Sequence, residues 1–213
     1  MSSRSEPRKH SRGAVATEAA LVTPLLLLIV FGIIEMASLM RDNAALESLA
    51  EQGVRAAAAH ADAYAADDEA PGFARYAADA VAEAKSAIPK GTIAELWVYR
   101  PNQGGYPCTA AEDDAGCAPR EGDDNRSWTC AADCLRFDWN SSTHRFDLVS
   151  GSWPSTDWPS TDCPAAGDEV GVYLRAEHSF FATPLLRPTG IRNNAVLSFG
   201  DAGDALCGQG GLR

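Results

Sequence analysis

Six cysteines, four histidines and one carboxylate at the mouth of an apolar run are the residues of this 213-residue chain whose types and spacing bear on chemistry. Cys108, Cys117, Cys130, Cys134, Cys163 and Cys207 all lie in the second half. An even number of cysteines confined to one part of a chain fits disulfides formed in an oxidising compartment. Six cysteines allow fifteen pairings; Cys108–Cys117 closes a short loop, and sequence does not choose among the rest. Cys130 and Cys134 also have the spacing of half a zinc site, but no second cysteine pair or His-x3-His completes it, so no metal is expected. His10, His60, His144 and His178 are scattered, and no nucleophile elbow, zinc-protease helix, phosphate loop or dinucleotide fingerprint is present. The expectation is therefore a protein without catalytic residues or cofactor. His178 stands before Phe180-Phe181 and reads as a satisfied strand-end residue.

The carboxylate is Glu18, in the stretch Arg12-Gly13-Ala14-Val15-Ala16-Thr17-Glu18. From Ala19 to Ile34 there is no charge, and up to Met40 only Glu35 interrupts the apolar run. Those residues, as a helix, would span about 33 Å, roughly a hydrocarbon core. A secretory signal has a shorter apolar region and a small-x-small cleavage site, which is not evident here, so a retained helix is expected. Pro24 inside it is tolerated in a membrane helix. An ionisable group at the entrance to such a helix is costly and usually has an assigned partner. If the chain were cut after Gly13, the new amino group on Ala14 would lie about one helical turn from Glu18. Between neighbouring chains that amine and the carboxylate would attract strongly in a low dielectric and fix the register of helices packed side by side. The simpler alternative is that Glu18 sits in the headgroup zone with its charge turned to water.

The string from Arg12 to Leu27, followed by Phe31-Gly32-Ile33-Ile34-Glu35 and Glu51-Gln52-Gly53-Val54-Arg55-Ala56-Ala57, resembles the start of TadE-like proteins, the pseudopilins of tight-adherence (Flp) pilus systems. The resemblance covers about residues 12–60. It implies a prepilin-peptidase site at Gly13 and Ala14, with Glu18 as the register carboxylate. Family members often carry an aromatic residue directly after that glutamate, where this chain has Ala19. The implied partners are a prepilin peptidase, other pilin-like subunits, the pilus assembly platform and membrane lipid.

Charge sets a direction. Residues 1–13 hold four basic groups and one acid, whereas residues 41–213 hold 14 basic against 26 acidic groups. A basic head before an apolar run is expected to stay in the cytoplasm while the acidic remainder is exported. A formal charge of −11 also makes nucleic acid an unlikely partner.

The elements that would carry these residues follow from periodicity. Leu46, Leu49, Ala50, Gly53, Val54 and Ala57 recur at helical spacing, with Glu51 and Arg55 paired on another face. One helix from Ala14 to about Ala66 is predicted, then a break at Asp67-Asp68-Glu69-Ala70-Pro71-Gly72. A second helix follows with Phe73, Tyr76, Ala77, Ala80, Val81, Ala84 and Ile88 on one face. After Gly91 the period becomes two. Alternation around Leu96, Phe137, Phe146 and Val172, with a last short segment at Ala195, Leu197 and Phe199, predicts four or five half-buried antiparallel strands. Asn140 to Thr143 would make a hairpin turn; Asn140-Ser141-Ser142 also matches a glycosylation acceptor, a weak signal.

Two long loops remain. Residues 101–134 contain Glu112, Asp113, Asp114, Glu121, Asp123 and Asp124 without the ligand spacing of a calcium loop, and read as a solvated acidic loop pinned by disulfides. Trp153 to Asp157 repeats as Trp158 to Asp162; its indoles either meet an external surface or sugar, or fold back onto the sheet. The predicted architecture is α+β: a long N-terminal transmembrane helix packed on a small antiparallel sheet, with a disulfide-stapled exported head. Its organisation is a basic leader (1–13), a transmembrane helix (14–40), an exported helical region (41–88) and a β-rich head (89–213). The functional expectation is a minor pseudopilin-like structural component; the alternative is a membrane-tethered exported binding protein that enters no filament.

Overall fold

The computed structural model describes residues 11–60, 72–102, 105–107, 130, 133–153, 169–180 and 189–199. Two helices, α1 (Ser11–Ala59) and α2 (Gly72–Glu83), precede five strands: β1 (Ile93–Tyr99), β2 (Cys134–Asn140), β3 (Arg145–Ser152), β4 (Glu169–His178) and β5 (Thr189–Ser198). The strands form one sheet in the order β3-β2-β1-β4-β5, every neighbour antiparallel.

The second half of α1 lies across β4 and β5, and α2 packs beside it and against β3. The helical stripe of Leu46, Leu49, Ala50, Val54 and Ala57 is buried, as are Phe73, Ala74, Ala77, Ala78 and Val81 of α2. They meet Leu96, Val98, Leu135, Phe137, Phe146, Val172 and Leu174 from the sheet in one core. Gly53 sits where α1, α2 and β4 converge: a Cβ there would stand 2.9 Å from a Val81 methyl and 3.2 Å from a Val172 methyl. The absence of a side chain at Gly53 sets how closely the long helix approaches the sheet.

Three boundaries differ from the sequence reading. The first helix ends at Ala59, not near Ala66. His60 Nδ1 donates to the Ala56 carbonyl at 2.9 Å, capping the last turn, and its ring stacks on Tyr76 of α2 with centroids 3.8 Å apart. The second helix ends at Glu83; Lys90 Nζ donates to the Val81 carbonyl near its end. Burial of that amine without a counter-charge lowers its pKa to about 8. The last strand begins at Thr189, well before Ala195.

The sheet is also buried more deeply than alternation implied. On the face away from the helices, Trp97, Tyr99, Tyr173 and Cys134 form a second buried cluster. Tyr99 Oη donates to the Gly105 carbonyl at 2.9 Å, and Asn194 Nδ2 donates to Tyr99 Oη at 3.3 Å. Desolvation raises the Tyr99 pKa above its ordinary value. Beside this cluster Glu95 stands between Arg136 and Arg175, at 3.7 Å and 3.6 Å, tying three strands together.

Replacing Gly53 with Leu is expected to force α1 off the sheet and to lower the stability of the folded head by about 1–3 kcal/mol. Thermal unfolding of the detergent-solubilised full chain, followed by near-ultraviolet circular dichroism, measures it.

Candidate functional site

Below the head, α1 continues without protein around it. Apart from the half-buried Leu39, the large apolar residues from Val15 to Met40, including Leu21, Leu25, Leu28, Phe31 and Ile33, are exposed. The helix is long and apolar enough to cross a membrane, and none of its most apolar stretch is buried in the protein. A soluble monomer rarely exposes apolar patches larger than a few hundred Å². The segment is helical because its residues are Ala, Leu and other good formers without a charge to solvate. Pro24 stands inside the helix, which deprives the Ala20 carbonyl of its backbone donor.

Glu18 lies on this rod, exposed, near its beginning. Ala14 and Glu18 are four residues apart in continuous helix, so they share a face and are separated by about 6 Å along the axis. The Gly13–Ala14 peptide falls within the first turn. There the leading N–H groups have no intrahelical acceptor, so the turn is the easiest part of the helix to unwind. The next charged residues along the rod are Glu35, half-buried, then Arg41 and Asp42.

Asp42 marks the point where the bare rod meets the head. Its Oδ2 lies 2.8 Å from Nδ1 of His178, the last residue of β4, which is 3% exposed. Phe180 packs edge-on against the imidazole, with centroids 5.3 Å apart. His178 Nδ1 is thus satisfied at a strand end by Asp42, the residue that sequence reasoning missed, while its Nε2 is buried with no hydrogen-bond partner among the described residues. The available signal was position: Asp42 precedes Leu46 and Leu49 by four and seven residues, on the stripe that faces the head.

The other candidates are distributed as follows. Cys130 and Cys134 form a disulfide at the start of β2, which accounts for both cysteines of the Cys-x3-Cys spacing. Cys108, Cys117, Cys163 and Cys207, the acidic residues of 112–124, His10 and Trp158 lie outside the described residues. Trp153 is buried and packs edge-on against Phe73 at 5.1 Å, so the first indole of the repeat belongs to the core. His144 takes a positive φ of 55° in the β2–β3 turn. Asn140 in that turn accepts from the Ser142 N–H at 2.9 Å and donates to Asp147 at 2.7 Å, which engages its amide in holding the hairpin. Among the described residues, no group of three His, Cys, Asp or Glu side chains gathers as metal ligands.

Residues 13–55 match the family model described as TadE-like protein. Over those residues the long helix is similar to that family. The match begins at Gly13, runs the length of the exposed rod and ends at Arg55, within the stretch buried against the head. It does not include α2 or the sheet. No curated protein and no solved structure matches the chain.

The Asp42–His178 contact joins the TadE-like helix to the sheet. Asp42→Ala is expected to leave a buried imidazole nitrogen without its partner and to lower head stability by about 1–3 kcal/mol. Chemical denaturation of the solubilised full chain, with intrinsic tryptophan fluorescence as the readout, checks it.

Proposed function

We propose that this protein is a pseudopilin-like structural subunit of a tight-adherence (Flp) pilus or a related secretion apparatus. A TadE-like segment points to that class of system. The observation that carries the finer reading is the pairing of a bare, apolar helical rod with a carboxylate near its beginning, Glu18, one turn beyond Ala14. In this reading residues 1–13 are a cytoplasmic leader, the rod crosses the membrane once and the head is exported. The basic charge of the leader supports that orientation, and the Cys130–Cys134 disulfide supports an oxidising compartment for the head.

A prepilin peptidase would cut after Gly13. The rod would then pack laterally with other pilin-like subunits at the assembly platform, its face shared between lipid and helix. The α-amino group of Ala14 on one chain would pair with Glu18 of a neighbour. An ionisable group at the entrance to a membrane helix is costly to leave alone, so each group gains from the other's presence. The chain performs no chemistry of its own; the work of assembly comes from its partners.

One observation favours a second reading. The family match stops at Arg55 and leaves most of the head outside it, as expected of a membrane-tethered exported binding protein that uses the helix only as an anchor.

Processing separates the two. Intact-mass measurement of the membrane form is expected to show a chain that begins at Ala14 when the matching peptidase is present; persistence of residues 1–13 would select the tether. Glu18→Ala is expected to reduce co-purification with partner subunits about tenfold, the equivalent of ~1.4 kcal/mol in association. Unchanged recovery of partners and of pili would remove the register role.

A further inference from the structure

The two edges of the sheet are built differently. Strand β3 carries an irregularity: Arg136 faces Ser150 and Phe137 faces Leu148, so Val149 bulges out of register. Gly151 follows at φ 103°, where an added Cβ would lie 2.2 Å from the Cys134 carbonyl oxygen. A bulge of this kind twists an edge away from further pairing. Among the described residues, strand β5 has no such guard. It pairs with β4 through ten consecutive residues without a register shift, contains no proline or lysine, and carries one charged residue, Arg192.

Which backbone groups of β5 face outward can be read from one contact. The Asn194 N–H donates to the Asn193 side chain at 2.8 Å, so it does not point to β4. In a regular antiparallel pair the inward and outward residues alternate, so Gly190, Arg192, Asn194, Val196 and Ser198 present their N–H and C=O groups away from the sheet. A groove of about 300 Å³ runs beside this edge, between β5 and the flank of α1. Val54, Ala195 and Leu197 give it an apolar lining, and Leu197 remains 40% exposed. Glu47, Glu51 and Arg55 stand along its helical wall. Arg55 is engaged by Glu51 at 3.1 Å, whereas Glu47 has no ion pair among the described residues.

We propose that β5 docks an extended segment of a different exported protein, which adds as a sixth strand and sets a Lys or Arg side chain against Glu47 and Glu51. Strand addition draws affinity from main-chain hydrogen bonds and specificity from pockets for alternate side chains. A second copy of this chain does not fit. Antiparallel pairing of two β5 edges about a two-fold axis reverses α1, so the two apolar rods would point in opposite directions and could not enter one membrane with the same sense. A copy displaced sideways would offer β3, whose bulge and Gly151 disfavour it. This inference needs α1 to cross a membrane but not to be processed; a chain that keeps residues 1–13 would dock the same segment, so its failure and that of filament entry are told apart.

The test places p-benzoylphenylalanine at Leu197 of the full-length protein in cells that make it natively, with Val149 on the other edge as control. Irradiation is expected to give an adduct from position 197 and none from 149. The linked peptide, sequenced by mass spectrometry, should belong to another exported protein and contain Lys or Arg near the link. Two variants should each reduce the adduct about tenfold: Val196→Pro, which removes an outward N–H without touching the β4 ladder, and the exposed double change E47K/E51K. The second does not depend on strand geometry, so a folding defect in the first leaves the proposal open to refutation. Adducts to lipid alone, to a second copy of this chain or to a segment without a basic residue would overturn it. So would no adduct at all, an equal adduct from position 149, or a yield indifferent to E47K/E51K.

Discussion

A helix of 49 residues is about 73 Å long, while the ten-residue strands on which it lies span about 34 Å. The sheet can therefore cover only about half of α1, and everything else in the molecule follows from that mismatch. The covered half needs an apolar stripe on one side and tolerates Glu47, Glu51 and Arg55 on the other. The uncovered half is apolar all round, which no aqueous solvent accommodates over more than twenty residues. The two halves answer to different surroundings, and the change from one to the other occurs within about two turns, between Met40 and Leu46.

The transition has to be mechanically definite if the rod is to carry force or orientation into the head. Two devices make it so. Gly53 lets the helix axis sink between Val81 and Val172, and Asp42 fastens to His178 at the first contact with the sheet. Behind them the central strands are buried on both faces, under the helices on one and at Trp97, Tyr99 and Tyr173 on the other. A sheet buried on both faces resists bending more than the open antiparallel sheet that alternation alone suggests.

What was legible in the sequence was whatever a local period writes. The apolar rod shows as a long run almost without charge, the Leu46 to Ala57 and Phe73 to Val81 stripes repeat at helical spacing, and Phe146 and Leu148 alternate as a strand should. What was not legible was set across the fold. Nothing in an alanine run marks a stop at Ala59; the stop is His60 meeting Tyr76 on another helix. Asp42 and His178 are 136 residues apart. The start of β5 was hidden because Arg192, Asn193 and Asn194 are polar, as an edge strand allows. Of the candidate site, Glu18 and its distance from Ala14 were readable because both lie on one continuous helix, whereas the groove beside β5 exists only once the strand is laid against α1.

The His60–Tyr76 stack has a consequence for how the head grips its rod. The rings clasp the end of α1 to α2 with centroids 3.8 Å apart, in addition to the apolar core that the two helices share. The covered half of α1 is therefore held at both of its ends, by Asp42 and His178 at one and by His60 and Tyr76 at the other, so a pull along the rod is resisted by polar and aromatic contacts at two separate points rather than by apolar burial alone.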